Sequence, residues 1–167
     1  MRLIQEERVV TYRIVLVTAG MLMGWAVLHD QFLVGIAPEH FTEYHEPVGS
    51  ISNPRLLAFL YALGATVGPG LILGILCAFF GRSGSRRKVP LKGIFLGVAA
   101  LILAIEVLSA GAGIVVSQTG KVFYPEDWFP DQTDPIRISQ TIQVTCYLSA
   151  FLLSPVLCLA LFFWRRN

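Results

Sequence analysis

The stretch LLAFLYALGATVGPGLILGILCAFF, residues 56–80, runs for 25 residues without a charged side chain. A helix rises about 1.5 Å per residue and a bilayer core is about 30 Å thick, so roughly 20 such residues cross it. A barrel strand would alternate apolar and polar residues with a period of two, and this stretch does not. It predicts a transmembrane helix. Outward from it lie three more stretches of the same kind, at residues 12–34, 93–116 and 142–164. The first is free of charge only over 14–28, and the second is broken by Glu106 alone. Composition agrees, with 54% hydrophobic and 14% charged residues in a chain of 167 and a mean hydropathy of +0.64. A soluble domain carries about 25% charged residues. A disordered chain is excluded and a soluble globule disfavoured. The expected fold is all-α, a four-helix transmembrane bundle forming one integral membrane domain over residues 1–167.

The distribution of charge orients the bundle. Ten of the 13 Lys and Arg residues (Arg2, Arg8, Arg13, Arg82, Arg86, Arg87, Lys88, Lys92, Arg165, Arg166) fall before the first span, in the second loop or after the fourth span. Only Arg55, Lys121 and Arg137 fall on the other side. By the positive-inside rule both termini are expected to be cytoplasmic. The first and third loops then face outward, and they carry Glu39, Glu43, Glu46, Glu126, Asp127, Asp131 and Asp134. Tyr12 and Trp164 near cytoplasmic ends and Trp128 near the outer surface suit an aromatic belt. Residues 14–28 have the length of a signal-peptide core, but Glu6 and Glu7 oppose a positive leader and no A-x-A site precedes His29. A retained signal-anchor helix is the expectation. The loop GRSGSRRK at 81–88 reads as a flexible basic hinge on anionic headgroups, where each basic residue contributes about 1 kcal/mol. A net charge of +2 and the lack of a basic-aromatic platform argue against a nucleic-acid partner.

Packing signals are internal to the spans. Gly64, Gly68, Gly70 and Gly74 flank Pro69, and Gly93, Gly97, Ala100 and Ala104 repeat at four-residue spacing. Such stripes let helix backbones approach, within one chain or across an interface. Pro69 and Pro155 are expected to kink their helices. Cys77, Cys146 and Cys158 all lie within spans and read as packing residues, with no C-x-x-C pair.

All three histidines fall between residues 29 and 45, in HDQFLVGIAPEHFTEYHEP (29–47), with four of the 11 acids, Asp30, Glu39, Glu43 and Glu46. Imidazole and carboxylate together suit zinc, iron, manganese or copper, so a divalent transition metal is the cofactor this cluster would hold. Spacing works against it. His40 and His45 are five apart and would leave a continuous helix on different faces, whereas Glu39 and Glu43 share one, as do Thr42 and His45. There is no H-E-x-x-H and no E-x-x-H, so a metal site requires the chain to bend.

Glu106 has no charged neighbour for 13 residues on either side. A carboxylate at helix centre costs roughly 2.5–3.5 kcal/mol on insertion scales, so it needs a partner. Glu106 lies 14 residues beyond Lys92 and His29 lies 16 beyond Arg13. At about 1.5 Å per residue both sit about 21–24 Å from the cytoplasmic edge. The two are expected to pair, joining the first and third spans as structural glue, a proton relay or two ligands of a metal.

The outer loop at 123–135 is expected to lie along the interface with rings down. Calcium binding through Asp127, Asp131 and Asp134 lacks the EF-hand spacing and its glycine. No G-x-S-x-G, Walker A or G-x-G-x-x-G pattern occurs. His29 alone lies within a span, which argues against a diheme cytochrome. No nucleophile–base pair stands out, so enzyme activity is left open and no reaction is named.

The triplet His29-Asp30-Gln31, followed by Pro38-Glu39-His40-Phe41-Thr42 and His45, resembles a group of uncharacterised bacterial inner-membrane proteins with four helices. Their first helix ends in an HDQ-like triplet, followed by an E-Y-F-T-like stretch and His-Pro. This chain departs in carrying His40 in place of tyrosine and Glu46 between His45 and Pro47. The resemblance implies the bacterial inner (plasma) membrane and a polar cluster at the outer end of the first helix. It brings no activity.

Three functions follow. The leading one is a polytopic membrane protein that binds a metal ion or small polar ligand at its outward face through His29, Asp30, Glu39, His40, His45 and Glu106. The second is a non-catalytic accessory subunit packed, through the glycine stripes, in a homo-oligomer or larger membrane complex. The third is a proton or ion pathway through Glu106.

Overall fold

A computed structural model describes residues 2–125 and 133–165. Four long helices, α1 (Arg2–Ile36), α3 (Pro54–Arg82), α4 (Leu91–Thr119) and α5 (Asp134–Trp164), form the bundle, with a one-turn helix α2 (Glu39–Thr42) in the first loop. No strand occurs among the described residues. All four long helices are long and apolar enough to cross a membrane. Leu28, Ile72, Leu103 and Phe151 project from the bundle with no protein over them, a surface that a bilayer would cover.

Each helix runs past its apolar stretch. α1 begins ten residues before the expected span start at 12, and α5 begins eight before that at 142. Ser139, Gln140 and Thr141 lower the local hydropathy, yet all three are buried against protein. Pro135 occupies the first turn, where its missing N–H costs nothing, and Asp134 sits at the positive end of the helix dipole. At α3, the Asn53 side chain accepts from the backbone N–H groups of Arg55 and Leu56 at 3.0 and 3.2 Å, satisfying two of the orphan donors of the first turn.

The helices pair mainly as α1 with α3 and α4 with α5, and glycines set the approach. A Cβ on Gly74 would lie 2.6 Å from the Cα of Val15, and one on Gly70 would lie 2.9 Å from that of Ala19. In the second pair, a Cβ on Gly113 would meet Ile142 at 2.6 Å and one on Gly97 would meet Leu157 at 2.8 Å. Gly64 and Gly68, expected in the same stripe, have open space beside them. The main core gathers Ile14, Leu73, Ile94, Val98 and Leu161, with Cys77, Cys146 and Cys158 among them as free packing residues. A second cluster of Leu33, Val34, Phe41, Leu57, Ala58 and Ile142 sits under the first loop.

The loop at 81–88 is tied down rather than a free hinge. The Arg165 guanidinium, 6% exposed, donates to the carbonyls of Arg87 at 3.0 Å, Phe80 at 3.2 Å and Ser83. Glu7 pairs with Lys88 at 2.7 Å and Arg82 at 3.2 Å. Gly81 accepts from the Val89 N–H at 2.9 Å. Hydropathy and net charge cannot reveal such a knot, because all the acceptors of Arg165 are backbone carbonyls.

Candidate functional site

Trp25 and His29 are four residues apart on α1 and so share one face. That face meets α4 at Glu106. His29 Nδ1–H donates to Glu106 Oε2 at 2.9 Å, and the indole Nε1–H of Trp25 donates to the same oxygen at 2.9 Å. The expected pairing of His29 with Glu106 is therefore present, and helix rise alone sufficed to place both in one layer. Trp25 was not expected there; its signal was the four-residue spacing from His29. The other ring nitrogen, Nε2, is buried and has no hydrogen-bond partner.

Asp30 follows His29 and is turned about 100° around the helix, away from α4. It is 5% exposed. Together with His29 it lines a cavity of about 860 Å³ between α1, α3 and α5. Below this polar end the lining is apolar, with Leu22, Ala26, Leu73, Leu76 and Phe80 among it. Ala65, Pro69, Ile72, Phe151 and Pro155 line the cavity and are also exposed, so it opens sideways between α3 and α5. Both helices continue through their prolines. Each proline removes the N–H that would have bonded the carbonyl four residues earlier. Those carbonyls belong to Ala65 and Phe151, which both line the cavity. The hydroxyls of Thr66 and Ser154 are spent on the carbonyls of Ala62 and Ala150.

The first loop folds over the end of this cavity. α2 stops at Thr42 and the chain turns, so His45 returns toward His40 with ring centroids 5.0 Å apart. The turn overrides the divergence expected of a continuous helix. His45 Nδ1–H donates to the carbonyl of His40 at 2.7 Å. Its ring packs on Phe41 and Tyr61, and the Tyr61 hydroxyl donates to the carbonyl of Glu46. Gln31 and Arg55 exchange hydrogen bonds at 2.8 and 3.3 Å, tying the end of α1 to the start of α3.

His40 is fully buried with neither ring nitrogen partnered. Burial pushes its pKa down to about 3, with nearby His45 and His29 adding to the effect, so the ring is neutral. It walls a second chamber, of about 390 Å³, with Tyr44, His45, Gln140, Gln143, Val144, Tyr147 and Leu148. Gln143 and Tyr147 line both chambers. Gln143 Nε2 donates to the Tyr147 hydroxyl at 2.6 Å, and Gln143 Oε1 is buried without a partner.

The six candidate residues therefore divide. His29, Asp30 and Glu106 share one layer, His40 and His45 form a neighbouring cluster, and Glu39 is exposed to solvent with Glu43 and Glu46. Among the described residues no three His, Cys, Asp or Glu side chains come together as metal ligands. The reason is spatial: the layer of His29, Asp30 and Glu106 is separate from the His40–His45 cluster, and Glu39 lies in solvent. Of the calcium candidates, Asp134 opens α5 and is exposed. Glu126, Asp127, Trp128 and Asp131 lie outside the described residues.

No protein-family model, curated protein or solved structure matches this chain.

Proposed function

We propose that this is a polytopic membrane protein with both termini cytoplasmic that binds a small organic molecule in the α1–α3–α5 cavity. The ligand's polar group lies against His29 and Asp30, and its apolar part lies between α3 and α5. The observation that carries this reading is His29, whose Nε2 is buried without a partner, in the wall of a cavity of about 860 Å³. A bare polar atom in an apolar surrounding costs about 1–3 kcal/mol, which a ligand hydrogen bond would recover. The volume falls in the range of small-molecule sites, which combine an apolar lining with a few converging polar groups. The closest glycine approaches lie within the chain, at Gly70, Gly74, Gly97 and Gly113, which supports a ligand site over an assembly surface at those residues.

The test is organic extraction of protein purified from its native membrane in mild detergent, followed by mass spectrometry. Wild type should carry about one equivalent of one small molecule. Ala65→Phe, which fills the cavity from its exposed side, should carry none. Identical trace profiles from both proteins would overturn the reading.

A further inference from the structure

We infer that the ligand of this cavity is a single-chain amphiphile with a primary ammonium head, held by hydrogen bonds and charge from His29 and Asp30. The inference rests on the cavity being a ligand site, and it adds the ligand's chemistry. What the cavity offers at its polar end is mainly acceptors, beside the Tyr147 hydroxyl, which accepts from Gln143 and keeps its own proton. His29 Nε2 is one in the neutral ring, whose Nδ1–H donates to Glu106 and whose Nε2 is buried without a partner. The Asp30 carboxylate is the second, since no donor among the described residues bonds to it and its position on α1 turns it away from Glu106. Gln143 Oε1 is the third, bare while its amide nitrogen donates to Tyr147. The two hydroxyls nearer mid-membrane, on Thr66 and Ser154, have already donated to backbone carbonyls. The carbonyls freed by Pro69 and Pro155 add acceptors and no donors.

A head that fits such a wall must donate. A carboxylate or phosphate head would bring acceptor against acceptor and negative charge against Asp30. An alcohol offers one donor. A primary ammonium offers three donors and a positive charge, and beside it Asp30 takes its ionised form. Charge-assisted hydrogen bonds of this kind are about twice as strong as neutral ones, and the low dielectric of the span strengthens them further. The apolar walls and the opening between α3 and α5 suit a hydrocarbon chain entering from the bilayer.

The experiment uses the full-length protein with Trp25 as its sole tryptophan (Trp128→Phe, Trp164→Phe), in nanodiscs of phosphatidylcholine, whose quaternary head carries no N–H donor. Trp25 lines the cavity, so 12-bromododecylamine, 12-bromododecanol and 12-bromododecanoate report binding by quenching it. The amine should bind at least tenfold more tightly than the alcohol and more tightly still than the carboxylate. Asp30→Asn, near-isosteric and outside the Glu106 pair, should lower the amine preference about tenfold. Equal quenching by all three probes, or a preference untouched by Asp30→Asn, would overturn the inference while leaving the cavity reading intact. Quenching no greater than in the Ala65→Phe background, for every probe, would overturn the cavity reading itself.

Discussion

Glu106 stays in the third long helix because Trp25 and His29 both donate to it, at 2.9 Å each. Replacing it with leucine leaves two buried donors without an acceptor, at about 1–3 kcal/mol for each unsatisfied group. Glu106→Leu should therefore unfold at a clearly lower temperature in detergent, whereas Glu106→Gln, whose amide oxygen still accepts one bond, should lose less. A leucine variant as stable as wild type would mean the network holds nothing together. His40 gives a second prediction, this one in pH. It is neutral when folded, with its pKa depressed to about 3 mainly by burial, and an unfolded loop would protonate it near 6.5. Stability of the first loop should be full above about pH 6.5 and fall toward pH 3, by about 1.4 kcal/mol per unit for this one proton. Hydrogen exchange across residues 37–53 should show that slope in wild type and lose it in His40→Phe. At this scale the sequence made Glu106 and His29 legible, since one charge among apolar neighbours needs a partner and helix rise fixes depth. It did not reveal the bare nitrogens of His29 and His40, because partner loss depends on what the rest of the chain brings near.

The elements were legible as four apolar runs, and their ends were not. The transfer energies that sum along a span say nothing of Ser139, Gln140 and Thr141, which look like loop and are buried in α5. The glycine stripes were visible, but which glycines meet a neighbour depends on helix rotation. Gly74 faces the Val15 backbone at 2.6 Å for an added Cβ, while Gly64 faces nothing within 4 Å. Gly74→Ala should push α1 from α3 and cost about 1–3 kcal/mol, the usual range for overpacking. Gly64→Ala should be neutral or gain up to about 1 kcal/mol from helix propensity. Thermal unfolding of the two variants beside wild type checks the contrast, and equal stability would mean the α1–α3 approach is looser than drawn. The loop at 81–88 follows the same logic. Its basic residues suggested freedom, and Arg165 from the far end of the chain removed it by capping three carbonyls.

For the whole molecule, the asymmetry of Lys and Arg predicts, under the positive-inside rule, a cytoplasmic basic loop and cytoplasmic termini. Because the native cysteines are buried, single new ones report topology cleanly. Ser50→Cys should react with a membrane-impermeant maleimide in intact cells, and Ser85→Cys only after permeabilisation; the reverse pattern would invert the orientation. Class, span number and charge bias were determined by the sequence alone, because each is a sum of per-residue transfer and charge terms that needs no knowledge of neighbours. The tertiary structure decided the rest. Cavity, bare acceptors and the separation of His29 from the His40 cluster are relations between residues far apart in sequence, as Leu22 and Leu159 on the cavity wall show. They arise from how α1–α3 and α4–α5 pack as pairs and leave space between α3 and α5. The metal reading turns on the same kind of relation. Composition put six candidate ligands near one end, and folding separates His29, Asp30 and Glu106 from His40 and His45 and leaves Glu39 in solvent, so that no three come together among the described residues.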